Sequence, residues 1–134
     1  MKPRGPILHR PVVLLVEDEP LVRLVQVEIL RDDRLWVVEA GDADEAFELM
    51  RGRPDIRVVV TDVDMPGSIN GFEFARLVHQ GWPDIGIVVT SGKMRPDPGD
   101  LPEGAIFVPK PTSADVLTAK IRSLLQMESL PPSA

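Results

Sequence analysis

The sequence predicts an α/β domain in which helices cover both faces of a parallel β-sheet. Five short runs of apolar, mostly β-branched residues occur without alternation of apolar and polar positions, which is typical of strands buried on both faces. Segments with helical spacing of apolar residues separate most of these runs, as in successive βαβ units. The length of 134 residues and the apolar fraction of 43% fit one domain with a substantial core.

The predicted elements follow one another along the chain. The five apolar runs, taken as strands, are residues 12–16, 36–38, 58–61, 85–89 and 106–108. Pro20 suits the first position of a helix, and Asp42 with Glu45 three residues later resembles a capping box for a second helix. Helical spacing of apolar residues predicts a third helix from Gly71 and a last helix from about Ser113.

Composition excludes several classes of protein. The net charge of −6 argues against binding of duplex DNA or an anionic membrane, because both need a basic surface. The absence of cysteine excludes a thiolate zinc site, and the distant His9 and His79 argue against a histidine metal site. No signal peptide and no apolar run of about 18 residues is visible, so a cytoplasmic protein is expected. The domain is expected at 11–126, with tails at 1–10 and 127–134.

Polar residues follow four of the predicted strands. Glu17 and Asp18 end the first run, Asp62 the third, Thr90 the fourth and Lys110 the fifth. Right-handed crossovers bring the carboxyl ends of parallel strands to one edge, where ligands bind in such sheets. Three neighbouring carboxylates raise a pKa or require a cation, and an all-oxygen ligand set suits Mg²⁺. A carboxylate nucleophile beside a metal, a lysine and a hydroxyl predicts a phosphoryl-transfer site.

Each of these residues also has an ordinary structural explanation. Glu17 and Asp18 suit a solvated turn that caps the next helix, Asp62 and Thr90 suit turns, and Lys110 suits an exposed surface position. Their combination, with every member at the carboxyl end of a strand, is much more specific than any single residue.

Residues 11–126 resemble the receiver domain of two-component response regulators. The resemblance rests on four segments at strand ends, namely LLVEDEP, VVVTDVDMPGSINGFE, IVVTSGK and FVPKP. It implies a flavodoxin-like (βα)5 three-layer sandwich with the parallel strand order 2-1-3-4-5, which is the order of the chemotaxis member of this family.

The resemblance implies a phosphoacceptor with a Mg²⁺ cofactor. Asp62 would accept a phosphoryl group from a sensor histidine kinase or a phosphotransfer protein. Asp18 and Asp62 would ligate Mg²⁺ directly, Glu17 would act through water, and Asp64 would contribute its backbone carbonyl.

The resemblance also assigns the residues that respond to phosphorylation. Thr90 would hydrogen-bond the phosphoryl oxygen and shift on activation, and Lys110 would pair with Asp62 and then with the phosphate. The Lys110-Pro111 peptide would be cis. Phe107 occupies the position of the switch aromatic residue and lacks the hydroxyl of the more usual tyrosine.

The segment 93–104 departs from the family pattern. The family has its fourth helix here, but Pro96, Pro98 and Pro102 remove backbone donors and clash with the preceding turn, so no more than about one helical turn is expected. A proline-rich loop or a short 3₁₀ turn is therefore predicted. Because that face commonly forms the active dimer in the family, the chain is expected to be a monomer or a weak dimer.

The expected function is a phosphoacceptor that switches contacts with a downstream protein and has at most self-phosphorylation and self-dephosphorylation activity. The chain is either a stand-alone regulator or a receiver cut from a hybrid histidine kinase. The segment Asp62-Val63-Asp64 also matches the Asp-x-Asp of aspartate-nucleophile phosphatases, although Pro66 stands where that family has a threonine. A pseudo-receiver that binds partners without phosphorylation is a further alternative.

Overall fold

The computed structural model describes residues 10–125, and the predicted tails at 1–10 and 127–134 lie outside this range apart from residue 10. The strands are β1 (Val12–Val16), β2 (Trp36–Ala40), β3 (Ile56–Asp62), β4 (Gly86–Ser91) and β5 (Ile106–Pro109). The helices are α1 (Pro20–Asp32), α2 (Ala43–Gly52), α3 (Gly71–Gly81) and α4 (Ala114–Leu125). Among the described residues, no helix has the length and apolar character needed to cross a membrane.

The strands form one parallel sheet in the order β2-β1-β3-β4-β5, which confirms the predicted fold and strand order. Several strands extend beyond the apolar runs at their carboxyl ends. Asp62 pairs in register with Thr90, so two polar residues of the predicted site belong to the sheet itself. Their backbone positions are therefore fixed by the hydrogen-bonded ladder rather than by a loop.

The sheet has a hydrophobic core on each face. Leu14 and Val16 of β1 contribute to the core covered by α2 and α3, whereas Val13 and Leu15 contribute to the core covered by α1 and α4. All five residues of β1 are buried, as expected for a central strand. Burial on both faces explains why the strand sequences lack polar alternation.

Side-chain caps define where the second and third helices begin. Asp42 accepts a hydrogen bond from the backbone N–H of Glu45 at 2.9 Å, and the Glu45 carboxylate accepts one from the N–H of Gly41 at 2.8 Å. In a standard capping box the Glu45 carboxylate would accept from the N–H of the cap residue Asp42 itself. Here it accepts from the residue one position earlier. Asn70 caps α3 in the same way, by accepting from the N–H of Glu73 at 3.0 Å.

The segment 92–105 contains no helix, which confirms the prediction made from its prolines. The loop is nevertheless attached to the domain. The Ser91 hydroxyl accepts hydrogen bonds from the N–H groups of Lys93 and Met94 at 3.1 and 2.9 Å. The Arg76 guanidinium of α3 donates to the backbone carbonyl of Asp100 at 2.7 Å. The loop is therefore held at its start and near its middle by single side chains.

Replacing Arg76 with alanine should loosen the loop without unfolding the domain. A hydrogen bond from a charged donor contributes about 1.5–3 kcal/mol, so its loss should raise amide hydrogen exchange in residues 93–105 about tenfold or more. Exchange measured by mass spectrometry tests this, with Arg31→Ala on the exposed side of α1 as the control. Equal exchange in the two variants would contradict the role of Arg76.

Candidate functional site

The carboxyl ends of β1, β3 and β5 meet around an acidic cleft. The residues that line the cleft are Glu17, Asp18, Glu19, Val22, Asp62, Asp64, Gly92, Lys93 and Lys110. The structure thus brings the predicted carboxylates and the predicted lysine together. Thr90 is buried next to Asp62 in the sheet, and Phe107 lies outside the cleft lining.

Three carboxylates form the centre of the cleft. One oxygen atom from each of Glu17, Asp18 and Asp62 lies within 4.8 Å of the others. Glu17 and Asp62 are buried, with exposed fractions of 1% and 6%, whereas Asp18 is exposed to solvent. Glu17 is held in place because its carboxylate accepts a hydrogen bond from the N–H of Glu19 at 3.1 Å.

Lys110 contacts two of these carboxylates, and its closer contact is with Glu17. Its Nζ donates to Glu17 Oε1 at 2.9 Å and lies 3.4 Å from Asp62 Oδ1. Burial by itself would lower the pKa of Lys110, but the hydrogen bond to Glu17 and the charge of Asp62 raise that pKa above its usual value. Lys110 is therefore charged at neutral pH. The Lys110-Pro111 peptide bond is cis, as the resemblance implies.

Asp62 carries an unfavourable charge. Burial is the main cause that raises its pKa, the charges of Glu17 and Asp64 raise it further, and Lys110 offsets part of the effect. Its Oδ1 is buried and has no hydrogen-bond partner among the described residues. The only cation near this oxygen among the described residues is the Lys110 ammonium at 3.4 Å. A buried carboxylate oxygen without a hydrogen bond costs free energy, which a further cation would recover. The orphaned oxygen and the all-oxygen donor set therefore fit a divalent cation such as Mg²⁺.

Thr90 and Asp64 flank Asp62 at different depths. The buried Thr90 hydroxyl donates to the carbonyl of Thr61 at 3.4 Å, which is long for a hydrogen bond from a hydroxyl. Asp64 is exposed, and its Oδ2 accepts from the Ser91 hydroxyl at 3.5 Å. Its side chain lies outside the cluster of three carboxylates. The role predicted for Asp64 involves its backbone carbonyl and stays a prediction.

Phe107 lies against the core on the side of α2 and α3. It is partly buried, and the guanidinium of Arg95 lies 5.9 Å from its ring centroid. The loop 92–105 thus comes close to Phe107 through the side chain of Arg95. Its role as a switch stays a prediction.

Gly71 supports the site and was not recognised as a site residue in the sequence. A Cβ atom at this position would lie 2.2 Å from the carbonyl oxygen of Asp62 and 2.6 Å from Cα of Val63. The Gly71 N–H also donates to the Val63 carbonyl at 2.9 Å. The signal in the sequence is a glycine directly after the cap Asn70, at a helical position that glycine does not favour.

Comparisons with known proteins agree with this architecture. The family model of the response regulator receiver domain matches residues 13–122. The sensor kinase CckA of Brucella abortus is 34% identical over 122 residues, which cover 87% of this chain and 13% of that protein. The chain therefore spans a small fraction of the length of this curated relative.

Two solved receiver structures are similar to the whole fold. The receiver domain of the hybrid histidine kinase CckA has a TM-score of 0.72 and 29% identity, covering 86% of this chain and 99% of that chain. The response regulator TrrA of Thermotoga maritima, solved in complex with Mg²⁺–BeF, has a TM-score of 0.76 and 27% identity, covering 84% of this chain and 97% of that chain.

Gly71→Ala should destabilise the protein and displace the peptide that carries Asp62. The added methyl group meets backbone atoms that cannot move aside, so a loss of about 2–3 kcal/mol in the free energy of unfolding is expected. Chemical denaturation measures this loss. Gly81→Ala is the control, because a Cβ at the other end of α3 has nothing within 4 Å. Similar losses in both variants would show that the close approach at Gly71 is unimportant.

Asp62→Asn should stabilise the metal-free protein at neutral pH. The pKa of Asp62 is raised by folding, so the folded state carries a charge penalty that develops as the pH rises from the unfolded pKa through the folded one. The amide removes this charge, so a higher Tm than that of the wild type is expected at pH 7. The gain should shrink towards pH 3, where both states are protonated.

Thermal unfolding in EDTA at several pH values measures this difference. Asp84→Asn, at an exposed aspartate, is the matched control and should not change the Tm. A lower Tm for Asp62→Asn than for the wild type at pH 7 would contradict the charge penalty.

Proposed function

The chain belongs to the response regulator receiver domain family, and from this premise we propose that it is a phosphoacceptor of a two-component phosphorelay. Asp62 receives the phosphoryl group from a phosphohistidine of a sensor histidine kinase or a phosphotransfer protein. The observation that carries the proposal is the buried Asp62 Oδ1, which has no hydrogen-bond partner among residues 10–125 and lies beside two further carboxylates and Lys110.

The ligands proposed for Mg²⁺ are Asp18, Asp62 and the backbone carbonyl of Asp64, with Glu17 acting through water. When bound, the ion neutralises the acidic cluster and the phosphoryl oxygens, so that the dianionic group can approach a carboxylate. Support for this cofactor comes from the all-oxygen donor set and from the TrrA structure, which was solved with Mg²⁺–BeF.

In this proposal Lys110 stabilises the phosphoryl group, and Thr90 changes its hydrogen bond when that group arrives. Glu17 holds the Lys110 ammonium 3.4 Å from Asp62 Oδ1, which keeps a positive charge where the phosphoryl oxygens would arrive. The Thr90 hydroxyl makes a long bond to the Thr61 carbonyl, so turning towards a phosphoryl oxygen costs little. Lys110 therefore acts in the transfer, and Thr90 passes the change to the neighbouring backbone.

A phosphodonor protein has a suitable docking surface next to the acceptor. A shallow apolar cleft is lined by residues of α1 and of the segment after β5, and it shares Val22, Gly92 and Lys110 with the acidic cleft. At its edge Leu21 and Val25 are exposed by 73% and 56%. We assign this cleft to the kinase or phosphotransfer protein, because it adjoins the acidic cleft that contains Asp62.

The proposal describes a signalling module with at most self-phosphorylation and self-dephosphorylation activity. Its output is a changed contact with a downstream protein, without nucleic acid or membrane as a partner, and the chain acts as a monomer or a weak dimer. A cytoplasmic location belongs to the proposal, because histidine kinases draw their phosphoryl group from ATP. The second candidate, a receiver of a hybrid histidine kinase, is favoured by the 29% identity to the receiver of CckA.

Incubation with Mg²⁺ and acetyl phosphate tests the acceptor directly. The wild type should gain the mass of one phosphoryl group, and Asp62→Asn should gain none, as measured by intact mass spectrometry. Asp84→Asn is the matched control, because it makes the same change at an exposed aspartate outside the cleft lining and should gain the same mass as the wild type. No gain in the folded wild type would refute the proposed function, and repeated turnover of a phosphomonoester would favour the phosphatase alternative.

A further inference from the structure

Lys93 is a second cation at the acidic cleft, and the transfer mechanism described above does not use it. The cleft lining contains two lysines and five carboxylates, those of Glu17, Asp18, Glu19, Asp62 and Asp64. Lys110 is occupied by Glu17 and Asp62. Lys93 is exposed and makes no ion pair with another residue of the range 10–125. Its charge is therefore available to a ligand that enters the cleft.

The backbone of Lys93 is fixed at the rim of the cleft. Its N–H donates to the hydroxyl of Ser91, the last residue of β4, at 3.1 Å. Gly92, between them, brings no side chain into the cleft, and a Cβ at that position would lie 3.7 Å from the Cβ of Lys110. The long side chain of Lys93 thus starts from a defined point beside the acceptor.

The electrostatics of the cleft oppose the approach of an anionic donor. Five carboxylates against two ammonium groups leave the lining net negative, and a phosphoryl group carries about two negative charges near neutral pH. A divalent cation held by the carboxylates of Glu17, Asp18 and Asp62 would reduce this repulsion within the cleft. A cation at the rim acts earlier, on the incoming donor.

We propose that Lys93 is a positioning residue that attracts small acyl phosphates and orients their phosphoryl group towards Asp62. The inference rests on the proposed function and adds a positioning residue to it. In the step, an oxygen of the Asp62 carboxylate forms a bond to phosphorus, the bond from phosphorus to the acyl oxygen breaks, and the carboxylate product leaves with the electron pair. Lys93 donates hydrogen bonds to phosphoryl oxygens and gives up no proton.

Small donors should depend on Lys93 more than protein donors do. A protein donor spreads its binding over the apolar cleft along α1, which includes Leu21 and Val25. A small acyl phosphate has no such contacts and relies on charge for capture and orientation. Acetyl phosphate is therefore the probe of choice.

The test compares the rates at which acetyl phosphate and Mg²⁺ phosphorylate the wild type, Lys93→Gln, Lys93→Arg and Lys120→Gln, by intact mass spectrometry. Lys93→Gln should lower the rate about threefold to tenfold, and Lys93→Arg should retain most of it. Lys120→Gln, at an exposed lysine of α4 that is not part of the cleft lining, should match the wild type. The difference in rate between Lys93→Gln and the wild type should shrink as the salt concentration rises from 0.01 to 1 M, because the Debye length falls from about 30 to about 3 Å.

The outcomes separate this inference from the proposed function. If the wild type is phosphorylated and Lys93→Gln is phosphorylated equally fast, the inference is wrong and the proposed function stands. If Lys93→Gln and Lys120→Gln lower the phosphorylation rate equally, the effect comes from the net charge of the protein and not from the position of Lys93. This result would also overturn the inference. If the wild type gains no phosphoryl group, the proposed function is wrong, and the inference that rests on it is wrong as well. Unchanged melting temperatures show that the variants are folded.

Discussion

The pairing of Lys110 with two buried carboxylates is the interaction on which the site depends. Glu17 and Asp62 are brought together by neighbouring parallel strands, and both lose most of their hydration there. Lys110 compensates this arrangement only in part, because its short contact is with Glu17 and Asp62 Oδ1 keeps no hydrogen-bond partner among the described residues. The fold thus holds one carboxylate oxygen in a state that a cation or a phosphoryl group relieves.

The sheet explains why widely separated residues could be assigned to one site from the sequence. Apolar runs without alternation identify strands with two buried faces, and parallel connections place the carboxyl ends of those strands at one edge. The strand order itself came from the family resemblance, since local patterns do not encode which strands are neighbours. Proline chemistry is local, so the missing helix in 93–104 was predictable as well.

Other features of the site depend on distances that no local pattern contains. The preference of Lys110 for Glu17 follows from the geometry between β1 and β5, two strands that do not pair with each other. The requirement for Gly71 follows from the contact between the start of α3 and the backbone of Asp62 and Val63. Both features are consequences of packing between distant segments. The residue types alone do not reveal them until the fold is known.

The loop 92–105 also changes how this face of the domain can respond. A helix forms and melts cooperatively, because each turn depends on the hydrogen bonds of the next. The loop has two separate side-chain attachments instead, at Ser91 and at Arg76. Because these attachments lie at different points of the loop, we expect them to loosen one at a time, so that the response of this face is graded rather than all-or-none.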